Sequence, residues 1–492
     1  MAEIRTYRWS SDRPADRFPV TDPSTGEVLF IAQGGGPAEV DGAVRSAQAA
    51  FNLWRWRTGR ERGQLLRACA DALRSAVPEL VALETRENGK PLPQAEGDVL
   101  ACISIFDYFA GLTGKLPGDF FDSGLMYGAV MLEPYGVVGA FIPFNWPPIH
   151  TACKIAPALA VGNAVVVKPP EQAPSVVMRI IEILQTLLPE DLVQVVPGTG
   201  AEAGQALARH PLVRMLTFTG APSTGSAVLR AAADHHTPAL MELGGKNAMI
   251  VLADADLDWA ARCLIDAAFY NQGEACTAGS RILAHRSVHD ALVERLCRAV
   301  GGLRVGPGSE PGVHIGPLVT RRQQERVLDY LRIGVEEGAV IAAQGTVPQD
   351  PVHAGGFFVA PVVMTGVTRT MRVAREEIFG PVTCVMVFDD DAEAVDIAND
   401  TPFGLTAAVF TPDHPRAMRI ARQLDVGGVM INNYYRNGAA GMPFGGTKAS
   451  GYGREHSVET LKEFGRLKLI TMASGLGDLP SWPAESQRRA LA

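Results

Sequence analysis

No stretch of this sequence is apolar and long enough to span a bilayer, and no block of lysine or arginine interleaves with aromatic residues. The first absence argues against an integral membrane protein. The second, with a formal net charge of -8, removes the electrostatic footprint of a nucleic-acid binder and leaves a small molecule as the expected partner. Cysteine is sparse as well. Cys69, Cys102, Cys153, Cys263, Cys276, Cys297 and Cys384 are odd in number and scattered, with no C-x-x-C pair, so neither a disulfide framework, a zinc site nor a redox pair is expected. Residues 1–10 carry charges and lack the apolar core of a signal peptide, which points to the cytoplasm. Internal repeats and low-complexity tracts are missing too.

What remains is ordinary globular material: 47% hydrophobic and 20% charged residues over 492 positions, more than one core usually supports. Two or three domains are expected. Residues 37–110 carry helical patterning rich in Ala, Leu and Arg. From Gly136 onward, short apolar runs at 137–142, 164–167, 193–196 and 215–218 alternate with helix-length segments, which favours a parallel α/β sheet. A second series starts near Lys246, with a strand over 247–252 and an amphipathic helix over 256–270. Glycine and proline cluster at 305–317 and 438–453, where surface loops are predicted, and residues 475–492 read as an exposed tail.

Three segments carry chemistry. Cys276 follows a helix-like run and lies between Gly273 and Gly279, on a turn rather than in a core-facing stripe; a lone cysteine is nevertheless more often an inert buried residue. Glu242 ends a strand before Gly244 and Gly245, where the backbone can approach a ligand closely, though a solvated loop acid would look the same. Asn145 stands in Pro143-Phe144-Asn145-Trp146-Pro147, rigid after an apolar strand. Such a carboxamide either caps the next helix or serves as an oxyanion donor.

Taken together, the proline-framed asparagine, Glu242-Leu243-Gly244-Gly245 and the Gly-x-x-Cys motif at Cys276 resemble the aldehyde dehydrogenase superfamily, in the same chain order and with 34 residues between Glu242 and Cys276. Further matches are Lys168-Pro169-Pro170-Glu171, Phe218-Thr219-Gly220, Glu376-Glu377-Ile378-Phe379-Gly380-Pro381 and the run from Pro443 to Gly451, so that the resemblance spans residues 20–470. It implies a Rossmann-like NAD-binding domain (1–115 and 135–244), an α/β catalytic domain (245–445) and a small β oligomerisation element (116–134 and 462–474) through which members pair as homodimers or homotetramers.

The resemblance also implies roles. Cys276 would be the nucleophile, Glu242 the base that activates water, and the Asn145 amide with the Cys276 backbone N–H the oxyanion hole. Lys168, counted with the catalytic residues, and Glu171 would meet the adenosine ribose of NAD; Phe218, Thr219 and Gly220 would lie along the pyrophosphate and adenine side. Glu377 and Phe379 would hold the nicotinamide ribose. Ile142, Pro143, Phe144, Leu243 and Gly244 would complete the cofactor surface, with Gly200 and Gly204 of a GxGxxxG run that departs from the usual dinucleotide fingerprint. Glu171 favours NAD by repelling a 2′-phosphate, while Lys168 could offset that repulsion and keeps NADP open. No metal is implied. The aldehyde tunnel would draw on Trp146, His150, Cys153, Tyr270, Phe444 and the loop 434–438, whose Arg436 is either an attractor of anionic tails or an exposed loop arginine. Rival readings are a thiol esterase or acyltransferase using Cys276 without redox chemistry, and a non-catalytic protein that kept the fold.

Overall fold

The structure, a computed structural model, describes residues 17–434 and 440–477. Arg436, the loop residues 435–438 and most of the expected tail, from 478, lie outside the described residues. The helical front section is four helices: Pro37–Trp54, Gly59–Ser75, Val77–Asn88 and Leu92–Ala110. Their starts follow local chemistry. Pro37 opens the first after Gly36, and Thr58 and Glu61 form a reciprocal capping box on the second. Val40, Val44, Ala47, Phe51 and Trp54 recur on one face, and that face is buried.

Two largely parallel sheets follow. The first has six strands in the order Gly451–Tyr452, Ala239–Glu242, Val213–Thr219, Val137–Phe141, Ala164–Lys168 and Val193–Val195. Only the Gly451–Tyr452 edge runs antiparallel. Val137–Phe141 and Ala164–Lys168 are buried along their whole length, as continuous apolar runs in a sheet covered on both faces should be. In chain order the strands step from Val137–Phe141 outward to Val193–Val195, then return to the other side of Val137–Phe141 with Val213–Thr219. The order therefore reverses between these two neighbours, and ligands of open α/β sheets bind beyond the carboxyl ends of strands at such a point.

The second sheet has seven strands in the order Val340–Gln344, Val362–Thr365, Val382–Phe388, Arg281–His285, Ala248–Val251, Thr406–Phe410 and Gly428–Ile431. It is parallel except at the Val340–Gln344 edge. The helix expected after its first strand is Leu257–Phe269, with the Asp256 carboxylate accepting from two first-turn N–H groups. A third, antiparallel sheet joins Gly465–Ala473, Met126–Pro134 and Gly118–Asp122 and leaves Leu467, Leu469, Ile470, Phe120 and Phe121 exposed. No helix among the described residues is long and apolar enough to cross a membrane.

The expectation of surface loops at 305–317 and 438–453 needs correction. Ile315 is buried and bridges to Val305. In the second segment Thr447–Lys448 pairs with Phe403–Gly404, Gly451–Tyr452 pairs with Met241 and Glu242, and Ser450 is fully buried. Glycine there marks close approach of two backbones rather than exposure.

Candidate active site

The carboxyl ends of the two strands at the reversal open onto a cavity of about 820 Å³. Its wall includes Pro143, Phe144 and Asn145 after one strand and Thr219 and Gly220 after the other. Glu242, Leu243 and Gly244, then Cys276, then Glu377 and Phe379 complete the part foreseen from the sequence. Residues far apart in the chain are thus gathered on one surface.

Each alternative left open by the sequence now has an answer. Trp146, not Asn145, stands at the N-cap of helix Pro147–Val161, and no side chain caps it. Glu242 is 2% exposed, so it is no solvated loop acid. Cys276 is half-buried, packs against the edge of the core and lines the cavity.

Glycine is required where the Glu242 and Cys276 segments touch. A Cβ on Gly245 would collide with the Cys276 carbonyl, and one on Gly244 with the Glu377 carboxylate. Asn247 locks the same contact by donating from Nδ2 to the carbonyls of Cys276 and Ala278, both at 2.8 Å. Ser450 closes the other side: its hydroxyl donates to the Gly244 carbonyl at 2.6 Å, and its own carbonyl accepts from Leu243 N–H at 2.9 Å. Opposite, Glu377 accepts from Gly245 N–H at 2.9 Å. Phe379 holds a left-handed backbone, φ 63°, rare for a bulky residue and kept here by Gln323 and Arg326, which donate to the carbonyls of 377–379.

Charge tuning centres on Glu242. Burial first, then the neighbouring Glu455 carboxylate, push its carboxyl well above the ordinary range. Burial alone would raise Glu455 too, but the Lys154 ammonium at 2.8 Å outweighs it and holds Glu455 low and charged. The Cys276 thiol is pushed up by burial and by the Glu377 and Glu242 carboxylates. These raising effects outweigh the backbone N–H groups of Thr277 and Cys276, so carbamidomethylation of Cys276 by iodoacetamide should accelerate steadily from pH 7 to pH 9. Peptide mapping by mass spectrometry reads this out; a pH-independent rate would contradict it.

Other residues expected at the site are not among those that line this cavity. Lys168 and Glu171 pair at 3.2 Å, and Glu171 also accepts from Gly200 N–H at 2.6 Å. Ile142 and Phe218 are buried, Phe218 against Phe141 with ring centres 5.8 Å apart, and Gly204 lies beside the same Phe141 ring. Trp146, His150 and Cys153 occupy the buried first turns of helix Pro147–Val161, while Phe444 meets the His456 ring edge-on at 5.6 Å. Burial lowers His150 to about 3, so it is a neutral polar group there, not a charge. Tyr270 opens the turn Tyr270–Gly273 that leads to Cys276. Tyr434 is buried with its hydroxyl against Thr406 and the Thr277 carbonyl.

Several members of the site gave no sequence signal. Glu455 and Lys154 are 301 residues apart, so only the fold reveals their pairing. Arg322, Gln323, Arg326 and Tyr330 line the cavity from a helix that reads as ordinary amphipathic. The fold also draws Cys153, Glu455 and His456 together, with donor atoms within 4.8 Å. There the thiol meets His456 at 3.3 Å and Lys154 already holds the carboxylate.

A cysteine on a cavity at the strand-order reversal of an α/β sheet is an arrangement suited to covalent chemistry on a bound small molecule. The model of the aldehyde dehydrogenase family matches residues 9–470. Aldehyde dehydrogenase citD of Monascus ruber is 48% identical over 97% of this chain and 95% of its own length. Betaine aldehyde dehydrogenase of Mesorhizobium japonicum is 39% identical, over 95% of this chain and 96% of its own. The crystal structure of betaine aldehyde dehydrogenase from Staphylococcus aureus in complex with NAD+ superposes with a TM-score of 0.92 at 33% identity, covering 96% of this chain and 94% of that one. The chain belongs to the aldehyde dehydrogenase family, whose members are NAD(P)-dependent oxidoreductases that convert aldehydes to acids.

Proposed function

We propose that this protein is a hydrolytic, NAD-dependent aldehyde dehydrogenase in which Cys276 is acylated and Glu242 activates the water that releases the acid. The observation that carries the reading is that Cys276, Asn145 and Glu242 line one cavity. The cavity volume is within the range of small-molecule and cofactor sites. Gly220 and Gly244 line it, pressed against the Phe218 ring and the Glu377 carboxylate; Glu377 and Phe379 suit a ribose and a planar ring, and Lys168 with Glu171 suit a second ribose diol. Bound there, NAD supplies the hydride acceptor.

The chain's own groups do the rest. The Cys276 thiol gives its proton up to solvent, its sulfur adds to the aldehyde carbon, and the carbonyl π electrons move onto oxygen, where the Asn145 amide and the Cys276 backbone N–H stabilise the charge. As the hydride departs with its electron pair, the C=O bond re-forms and a thioester remains on Cys276. Glu242 takes a proton from water, hydroxide adds to the thioester carbon, and the C–S bond breaks to release the acid and the thiolate. Glu455 and Lys154 tune Glu242 for this work: the fixed negative charge of Glu455 keeps it basic enough to accept the proton.

In this reading residues 1–115 and 135–244 bind the dinucleotide, 245–445 carry the thiol, and 116–134 with 462–474 pair copies of the chain. The exposed apolar side chains of the three-stranded sheet support that last assignment. Glu171 supports NAD over NADP. An aldehyde panel with NAD and NADP, followed at the reduced-nicotinamide absorbance, tests the reading. Reduction with at least one aldehyde and preference for NAD are expected; ester cleavage without any reduction would return the esterase reading.

A further inference from the structure

Behind the asparagine lies a buried ionic cluster that the reaction above does not use. Lys90 follows the helix Val77–Asn88 and has no exposed surface. Its ammonium meets Glu84 at 2.7 Å, Asp98, and the backbone carbonyl of Asn145 at 2.8 Å. Two of these contacts are hydrogen bonds, to Asp98 and to the Asn145 carbonyl, and the third is the ion pair with Glu84. The same Asn145 carbonyl accepts a second hydrogen bond from Asn271 Nδ2 at 3.0 Å, and Asn271 also donates to the Glu274 carbonyl at 3.1 Å, two residues before Cys276. Asn88 holds the preceding Phe144 carbonyl at 2.7 Å.

The anchoring of these two side chains is itself unusual. Asn271 adopts a left-handed backbone, φ 53°, stabilised by its N–H donating to Gln94 at 2.9 Å. The Gly89-Lys90 backbone is gripped from the far side, where Gly308 and Gly316 pack so closely that no Cβ would fit, and Leu92 N–H donates to the Gly308 carbonyl at 3.0 Å. Packing alone does not account for the cluster, because buried ion triads are commonly no more stable than apolar groups of the same volume. What the ions supply is direction: a fixed point beneath the segment that bears the Asn145 side chain.

We propose that Lys90 and Asn271 are positioning residues that grip the Asn145 carbonyl from two sides and so set the Asn145 side-chain amide against the Cys276 sulfur. The idea rests on the reading of Asn145 as oxyanion donor. With its carbonyl fixed, the peptide plane between Asn145 and Trp146 cannot rotate, and the Cα from which the Asn145 side chain departs is held in place. Asn271 adds the link to the thiol, since its one amide spans the asparagine segment and the segment that runs into Cys276. A displacement of about 1 Å in such a group costs about 10²-fold in rate.

The test is single-turnover hydride transfer in Asn271→Gly, in Lys90→Met combined with Glu84→Gln and Asp98→Asn, in Asn145→Ala, and in the pairings of the first two with Asn145→Ala. Glycine tolerates the left-handed backbone, so Asn271→Gly deletes only the amide. Both positioning variants should slow hydride transfer by about 30- to 100-fold and leave the Kd for NAD within about twofold. In the Asn145→Ala background the same changes should cost less than about threefold more, because the group they orient is gone. Full additivity, or a wild-type rate in folded Asn271→Gly, overturns the proposal. Should the triple variant fail to fold, Asn271→Gly decides alone. A wild-type rate in Asn145→Ala sinks the oxyanion reading and this inference with it. A slow Asn145→Ala beside a fast Asn271→Gly leaves that reading standing and removes only the positioning role.

Discussion

Glu242→Gln should release about one reduced nicotinamide per active site and then stall with the acyl group on Cys276. Glutamine keeps the shape of the side chain but cannot accept a proton from water at any working pH. Acylation does not need that proton transfer to water, so the first turnover proceeds; hydrolysis does need it, and a positioned general base typically contributes about 10²- to 10⁴-fold. Steady-state turnover should fall by that factor while the burst amplitude stays near stoichiometric. The pH dependence separates this from a general loss of activity. Burial and the Glu455 carboxylate hold the Glu242 carboxyl high, so it is protonated below its raised pKa and works only above it. Deacylation by the parent should therefore rise with pH through that value, and the rise should vanish in the glutamine variant. Intact mass of the stalled protein should show the acyl increment. Undiminished steady turnover by Glu242→Gln would take the base role away from Glu242.

How much of this was readable beforehand depended on whether the signal was local. The strands Val137–Phe141 and Ala164–Lys168 announce themselves as short β-branched runs, and Asp256 marks the start of Leu257–Phe269 by its capping chemistry. Cys276, Glu242 and Asn145 were ambiguous residue by residue and became legible through the resemblance their three motifs carry together, and the fold brings all three to one cavity. The buried machinery behind them was not legible. Lys154, Lys90 and Glu455 look like surface charges in a sequence, and only contacts across 55 to 301 residues show why they are buried. Glycine misled in the opposite direction at 438–453, because a residue that permits a loop equally permits a strand edge pressed against Met241. Lys168 and Glu171 illustrate a third limit: the motif locates them beside each other and Gly200, but not how far that group stands from the sulfur.

Cys276→Ala should abolish aldehyde-dependent reduction of NAD, with a loss of about five to six orders of magnitude, the scale that follows removal of a covalent nucleophile. An aldehyde carbon carries partial positive charge and gives up hydride poorly; only after sulfur has added does the oxyanion push the electron pair outward. No neighbouring group can substitute. Cys153 is a thiol close to the Glu455–Lys154 pair, yet it is fully buried, engaged by His456 at 3.3 Å and pushed far up by burial. Cofactor affinity should survive the substitution, because Glu377, Phe379, Arg326, Gly220 and Gly244 are untouched. Fluorescence titration with reduced NAD should thus give a Kd within about twofold of the parent, a change too small to account for the lost rate. Combining Cys276→Ala with Glu242→Gln should cost nothing further, since the second residue acts only on a thioester that never forms. A variant lacking this sulfur that still reduced NAD at a tenth of the parental rate, or that became acylated at Cys153, would show that hydride leaves from an aldehyde bound elsewhere.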